Sequence, residues 1–242
     1  MEARPGQEYV WEGPGGPFSL ELDDGVFRPT STSRAVASGL VVHEGDTVID
    51  VGCGSGVLSF VAARLGAARV YGTDAARQAV ACAKRNGERL GLADIVDFRL
   101  GSLFEPLDGI KADVVIGDVS GIPDEIAAVS DWFPGGFSGG PTGAELPVAM
   151  LESAQLHLRP GARLYLPTGS IQDEGAVLRA ARRIFGEDRI RKLGERLLPL
   201  PGKLSESAVV RRLMDSGVVN LIRRGSRYLW ELRVWECTSP PA

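Results

Sequence analysis

Residues 48–56, Val-Ile-Asp-Val-Gly-Cys-Gly-Ser-Gly, carry the pattern that decides the fold of this chain of 242 residues. A short apolar run ends in glycines with the spacing G-x-G-x-G, and a helical pattern follows from about Val57 to Leu65. Glycine adopts positive φ easily and lets the backbone pass close to a ligand, because it has no Cβ. In doubly wound sheets such a turn ends the first strand, near the switch point where ligands bind.

Strands and helices alternate along the rest of the chain. Strand patterns cover 47–51, 69–73, 94–100, 112–119 and 163–166, and helical patterns cover 75–90, 142–158 and 173–185. This alternation predicts an α/β fold: a Rossmann-like, doubly wound, seven-stranded and mostly parallel sheet. Two β-rich runs at 218–222 and 228–237 predict that it ends in a C-terminal antiparallel β-hairpin.

The same patterns suggest the domain organisation. Residues 1–29 are expected to form an irregular N-terminal arm with short extended pieces, and residues 30–242 a single domain. Residues 119–144 are rich in glycine and proline and lack a clear periodic pattern. Long irregular connections in compact domains are often functional, so we interpret this segment as a substrate lid.

Candidate substrate contacts fall within this lid. They are Ser120 and the aromatic residues Trp132, Phe133 and Phe137. Aromatic side chains would give a pocket an apolar wall. The alternative is that they only attach the loop to the core.

Composition narrows the function classes. A net charge of −4 argues weakly against a general nucleic-acid binder, which usually carries a basic excess. Cys53, Cys82 and Cys237 fit no zinc spacing and the chain has two histidines, so no metal site is expected. Since neither a membrane span nor a signal-peptide pattern is present, the sequence predicts a cytoplasmic protein.

Two acidic residues complete a cofactor pattern around the glycines. Dinucleotide sites use G-x-G-x-x-G to hold a pyrophosphate, whereas here Asp50 precedes G-x-G-x-G. An acid at this position suits the α-amino group of S-adenosylmethionine (SAM). Asp74 closes the second strand 18 residues after Gly56, where a carboxylate can bind both ribose hydroxyls. Alternatively, the glycines form only a tight β–α turn and Asp74 caps the next helix.

The motif resembles a known class. Residues 50–56 resemble motif I of class I SAM-dependent methyltransferases, and the resemblance runs through Asp74 over roughly residues 25–170. It implies SAM as the cofactor, with contacts from Asp50, Gly52, Cys53, Gly54, Gly56 and Asp74.

Within that class the chain is similar to the release-factor glutamine methyltransferase group. Residues 26–33 resemble that group's segment packed over SAM, which implies a contact from Thr32. Residues 101–104 and 139–143 resemble two further sequence motifs of the group. The first of these motifs implies a cofactor contact from Ser102.

Two positions depart from that group. Its Asn-Pro-Pro-Tyr motif is replaced by Asp118-Val119-Ser120-Gly121, and Ser102 replaces the acid that meets the adenine amino group. Asp118 is the best candidate for both catalysis and cofactor contact, because a carboxylate there can accept a proton or hydrogen bond. The alternative is that Asp118 only shapes the turn with Gly121.

These observations favour a SAM-dependent methyltransferase that modifies an N or O nucleophile of a small metabolite or peptide. The expected partners exclude nucleic acid and membranes, and the oligomeric state is left open. Two alternatives remain: a protein side-chain N-methyltransferase, and a SAM-binding enzyme or regulatory module that transfers no methyl group. A nicotinamide-dependent oxidoreductase is disfavoured by the glycine spacing.

Overall fold

A central sheet with helices on both faces organises the chain in the computed structural model, which describes residues 7–130, 137–225 and 227–241. The strands are β1 (Gln7–Trp11), β2 (Phe18–Leu22), β3 (Thr47–Val51), β4 (Arg69–Asp74), β5 (Val96–Leu100), β6 (Ala112–Ile116), β7 (Leu158–Gly169), β8 (Ile190–Pro199), β9 (Ile222–Arg224) and β10 (Arg227–Thr238). The helices are α1 (Ser31–Gly39), α2 (Val57–Arg64), α3 (Arg77–Arg89), α4 (Asp124–Val129), α5 (Glu145–Ala154), α6 (Glu174–Phe185), α7 (Gly202–Ser205) and α8 (Ala208–Asp215).

The sheet confirms the predicted fold class. Its strand order is β5-β4-β3-β6-β7-β10-β8, with the short β9 paired to β10. Strands β3 to β7 pair in parallel, and β10 runs antiparallel to β7, β8 and β9. The order reverses between β3 and β6, which creates a switch point at their carboxyl ends.

The C-terminal part differs in detail from the prediction. The hairpin is present as β9 and β10, but β9 begins only at Ile222. The larger partner of β10 is β8, which the sequence patterns did not reveal. Strand β8 has no fully buried residue and carries several charges, as protected edge strands often do. Without an apolar alternation it had no detectable strand pattern.

Helix α2 covers the parallel strands on one face of the sheet. Seven of its eight residues are buried, so it packs between the sheet and the N-terminal segment rather than at the surface. One large apolar cluster contains α2 and covers one face of the sheet. A second cluster covers the other face with α5 and α6, and a smaller third cluster joins α4, α7 and α8.

The N-terminal segment is more regular than the arm expected from its sequence. Strands β1 and β2 pair antiparallel, and their side chains Trp11, Phe18 and Leu20 are buried in the first cluster. The buried Asn86 of α3 accepts a hydrogen bond from the Glu21 N–H and donates one to the Glu21 carbonyl. This side chain therefore pairs with the backbone of β2 as a neighbouring strand would.

The described residues contain neither a membrane-spanning helix nor a group of metal ligands. No helix in the described part of the chain is long and apolar enough to cross a membrane. Residues 7–130, 137–225 and 227–241 contain no group of three or more His, Cys, Asp or Glu side chains that could hold a metal ion. All three cysteines are buried free thiols.

The packing of β2 leads to a stability prediction. Leu20 is fully buried, so Leu20→Ala should lower the free energy of unfolding by about 2–5 kcal/mol. Val10→Ala on β1 is the control, since Val10 is 49% exposed and should cost less than about 0.5 kcal/mol. Urea unfolding followed by circular dichroism measures both. Equal small losses would mean that β1 and β2 do not belong to the cooperative core.

Candidate SAM-binding site at the switch point

A cavity of about 240 Å³ lies at the carboxyl ends of the parallel strands. Gly52 and Gly54 line it from the turn after β3, Asp74 from the end of β4 and Asp118 from the segment after β6. Thr32 closes it from the first turn of α1, whose N-cap is Thr30. Four separate stretches of sequence therefore meet at the switch point between β3 and β6.

The Asp74 carboxylate holds the glycine turn in place. Its Oδ2 accepts a hydrogen bond from the Gly54 N–H at 2.9 Å, and its Oδ1 accepts one from the Ala76 N–H at 2.8 Å. The side chain thus joins the turn after β3 to the start of α3. Each oxygen keeps further acceptor capacity towards the cavity, so the capping role and the predicted ribose-binding role are compatible.

The three motif glycines have different local roles. A Cβ on Gly54 would meet nothing within 4 Å, so its backbone, at φ +53°, is open to a ligand. A Cβ on Gly56 would lie 2.8 Å from the Phe60 ring, so Gly56 allows close packing of α2. Gly52 lies against the backbone after β6, since its Cβ would be 3.4 Å from the Asp118 carbonyl oxygen.

Asp50 and Cys53 lie behind the turn, outside the cavity lining. Burial raises the pKa of the Cys53 thiol, and its backbone shapes the turn through a bond from its N–H to the Thr73 carbonyl. Burial also raises the pKa of Asp50 to about 7, and the Asp118 charge adds to the shift, while the Ser59 hydroxyl opposes it. Ser59 Oγ donates to Asp50 Oδ2 at 2.6 Å, and Oδ1 has no partner among the described residues.

Asp118 combines burial with access to the cavity. Burial raises its pKa to about 6, an effect that a weak hydrogen bond from Ser33 Oγ at 3.4 Å opposes. No Lys, Arg or His is among the described residues that line the cavity. The site therefore presents Asp74 and Asp118 without a compensating cation, which favours cationic or neutral ligands.

A strained loop after β5 forms one end of the cavity. Ser102 lines it and is exposed, with its N–H donating to Glu105 Oε2 at 3.2 Å. Leu103 has φ +48°, unusual for a side chain larger than glycine, and Thr73 Oγ1 donates to its carbonyl at 2.7 Å. Sequence reasoning missed Leu103 and Thr73, because no local pattern marks a left-handed leucine.

The opposite half of the cavity is mainly apolar. Ser120 and Phe137 line it as expected, whereas the predicted contacts Trp132 and Phe133 lie outside the described residues. The sequence patterns missed several further lining residues, which come from α5, from the segment after β7 and from β10: Leu146, Ile171, Gln172, Trp230 and Leu232. A polar Gln172 shortly after the buried end of β7 was an available signal.

The segment 119–144 contains more structure than its sequence suggested. Helix α4 lies within it, packed in the third apolar cluster through Ile126 and Ala127. Two backbone hydrogen bonds join the two sides of this segment. The Gly139 N–H donates to the Ile122 carbonyl at 2.7 Å, and the Asp124 N–H donates to the Gly140 carbonyl at 2.9 Å. These bonds hold Ser120 and Phe137 beside the same cavity.

Comparison with known proteins agrees with this geometry. The family model described as ribosomal protein L11 methyltransferase (PrmA) matches residues 30–128. A release factor glutamine methyltransferase from Moorella thermoacetica is 33% identical over 175 residues, which are 69% of this chain and 59% of that protein. A ribosomal protein L11 methyltransferase from Syntrophomonas wolfei subsp. wolfei is 43% identical over 79 residues, or 33% of this chain and 26% of that protein.

A solved structure supports the fold. The 16S rRNA methyltransferase of T. thermophilus, in complex with AdoMet and guanosine, aligns with a TM-score of 0.62 at 16% identity. The alignment covers 96% of this chain and 50% of that one. The chain spans between about a quarter and three fifths of the length of the two curated relatives above.

These findings correct the expected partners. The expectation of a small-molecule or peptide acceptor is wrong, because the relatives are named for ribosomal protein L11 and release factor as substrates. The exclusion of nucleic acid is also unsupported, since a structural neighbour is an rRNA methyltransferase.

Burial of Asp50 leads to a prediction about stability and pH. The folded-state pKa of about 7 lies above an unfolded value of about 3.9, so ionisation destabilises the folded protein increasingly as pH rises between these values. The Asp50→Asn variant should therefore have a higher free energy of unfolding than the unsubstituted protein. This difference should be about 1–3 kcal/mol larger at pH 8 than at pH 5. Urea titrations at both pH values measure this, with the exposed Asp94→Asn controlling for loss of one negative charge. A constant offset would mean that Asp50 stays ionised throughout.

The bonds of Asp74 lead to a prediction about cofactor affinity. Asp74→Ala removes the partner of Gly54 and Ala76, so the dissociation constant for S-adenosylhomocysteine (SAH), the demethylated cofactor, should rise by roughly 10–100-fold. Isothermal titration calorimetry measures the affinity, and the exposed Asp94→Ala should leave it unchanged. Unaltered SAH affinity in Asp74→Ala would contradict the assignment of this turn to the cofactor.

The residues of the cavity fit the cofactor that the comparisons indicate. Gly54 leaves backbone open to a ligand, Asp74 offers carboxylate oxygens beside it, and the lining has no described cation to repel a sulfonium. The chain is thus similar to class I SAM-dependent methyltransferases, and the residues of this cavity fit S-adenosyl-L-methionine.

Proposed function

We propose that this chain transfers a methyl group to a side-chain amine nitrogen of a protein. The observation that carries the proposal is the position of Asp118, a carboxylate beside the glycine turn and at the border of the apolar half of the cavity. An acceptor nitrogen bound in the apolar half would contact Asp118 where that half meets the glycine turn.

Methyl transfer demands little covalent chemistry from the protein. The cofactor, when bound, supplies a methyl group on a positively charged sulfur that is a good leaving group. The chain's own residues therefore need to position the acceptor nitrogen, exclude water and manage its proton. Apolar residues such as Phe137, Ile171 and Trp230 suit the first two tasks, because they line the acceptor half of the cavity.

The chemistry of Asp118 favours an amine over an amide. A carboxylate accepts hydrogen bonds but donates none, so it binds N–H groups and cannot support the carbonyl of an amide. An amine arrives as an ammonium ion and must lose a proton before it attacks. A carboxylate with a pKa of about 6 is ionised at neutral pH and can hold that ammonium or receive its proton.

The shape of the cavity also suits a long amine side chain. Aliphatic stems of such side chains pack on apolar surface while their charged ends seek a partner. Here Ile171, Trp230 and Leu232 offer the apolar surface and Asp118 the charged partner. The absence of Lys, Arg and His from the described lining agrees with a cationic acceptor.

The named relatives support a protein acceptor. Their names specify ribosomal protein L11 and release factor, and we propose acceptors of the same kind for this chain. We also propose that the described parts of residues 119–144 cover the bound acceptor segment, since Ser120, Ile122 and Phe137 border the cavity.

The proposal is tested by the pH dependence of methyl transfer. With recombinant ribosomal protein L11 and release factor as separate acceptors and radiolabelled SAM, kcat should fall as pH decreases through about 6, because Asp118 becomes protonated. Asp118→Asn should lower kcat by roughly 10²–10⁴-fold and remove this acidic limb. Mass spectrometry of the product identifies the modified nitrogen.

Controls separate catalysis from binding. Asp118→Asn should keep its SAH affinity within about threefold, and the exposed Asp94→Asn should keep full activity. Methylation of a glutamine amide would refute the choice of an amine. SAH binding without methyl transfer to either protein would favour a SAM-binding protein that transfers no methyl group.

A further inference from the structure

Two residues that line the cavity carry a buried polar atom without a hydrogen-bond partner. Three buried side-chain polar atoms lack a partner among the described residues, and two of them, Ser120 Oγ and Gln172 Nε2, belong to residues that line the cavity. Gln172 is only 4% exposed. Buried polar groups are nearly always paired, so unpaired atoms at a cavity wall indicate a ligand that would pair with them.

The Gln172 side chain is held in a fixed position. A Cβ on Gly121 would lie 2.2 Å from Gln172 Oε1, and a Cβ on Gly143 would lie 3.0 Å from the Gln172 Cβ. Its backbone is also fixed, because its N–H donates to the Gly169 carbonyl at 3.1 Å and its carbonyl accepts from the Glu174 N–H at 2.7 Å. Gly121 and Gly143 therefore give the amide a pre-organised slot between the two ends of the segment 119–144.

The chemistry of these two atoms selects a neutral acceptor of hydrogen bonds. An amide nitrogen can only donate, and a hydroxyl can donate beside it. A carboxylate or phosphate would be repelled by Asp74 and Asp118, and no described Lys, Arg or His in the lining would compensate. A carbonyl oxygen of an uncharged amide meets both requirements.

We propose that Gln172 and Ser120 form a subsite that hydrogen-bonds a main-chain peptide carbonyl of the acceptor protein. This proposal rests on the proposed function in one respect, namely that the acceptor is a protein. The subsite positions the acceptor segment while Asp118 meets its nitrogen. Gln172 and Ser120 are thus positioning residues that hold the acceptor segment relative to Asp118.

The first test measures binding without methyl transfer. In the SAH complex of ¹⁵N-labelled protein, N-acetylglycine N-methylamide serves as an uncharged peptide probe and acetate as the anionic control. The side-chain NH₂ resonances of Gln172, identified by their loss in Gln172→Met, should shift with the peptide probe and not with acetate. The affinity for the probe should fall about tenfold in Gln172→Met and in Gln172→Glu, which keeps the shape and loses the N–H donors.

The second test measures turnover with ribosomal protein L11 as acceptor. Gln172→Met and Ser120→Ala should raise KM for L11 about tenfold and leave the SAH affinity unchanged. Gln155→Met, an exposed glutamine at the end of α5, is the matched control and should change neither. Thermal unfolding of each variant verifies that it folds.

The outcomes distinguish this proposal from the proposed function. If L11 is not methylated but the probe still binds through Gln172, the subsite stands and the proposed acceptor fails. If the probe binds equally well to the unsubstituted protein and Gln172→Met, the subsite is refuted whatever the activity. Loss of SAH affinity in Gln172→Met or Ser120→Ala would assign these atoms to the cofactor and refute the proposal.

Discussion

Parallel pairing of β3 with both β4 and β6 is the constraint on which the rest of this structure depends. In that register Asp50 lies opposite Gly72 on one side and Ile116 on the other, so all three strands end together. The turn after β3, the carboxylate of Asp74 and the backbone before Asp118 are therefore brought within reach of one another. The hydrogen bond from the Gly54 N–H to the Asp74 carboxylate then joins the turn after β3 to the end of β4.

Uncompensated negative charge is the main electrostatic feature of the site. Asp50 and Asp118 are both buried enough to raise their pKa values, and each lacks a basic partner in the described structure. Such an arrangement costs free energy in the unliganded protein. The raised pKa of Asp50, which lies outside the cavity lining, therefore bears on stability. The raised pKa of Asp118, which lines the cavity, bears on the proposed binding of a cationic acceptor.

The half of the cavity that contains the glycine turn could be predicted from the sequence because its signals are local. The glycine spacing, Asp50 and Asp74 sit within one β–α–β unit, where strand ends and turn geometry are set by nearby residues. The apolar half of the cavity could not be predicted in this way. Trp230 and Leu232 reach the cavity from β10, more than 100 residues after Asp118, and Gln172 follows β7. Strand β8 was missed because an exposed edge strand needs no apolar alternation.

The sequence by itself determined the alternation of β3 to β7 with α2, α3 and α5, the glycine turn and the acid that closes β4. Hydrophobic periodicity and backbone freedom, which mark these features, are local properties. It also marked Asp118 and Ser120 through their departure from a familiar motif. Only the tertiary structure decided that Cys53 and Asp50 lie behind the turn, that the N-terminal strands belong to the core, and that Gln172 lines the cavity with its Nε2 unpaired. Those properties depend on burial and on contacts between distant segments, which exist only once the chain has folded.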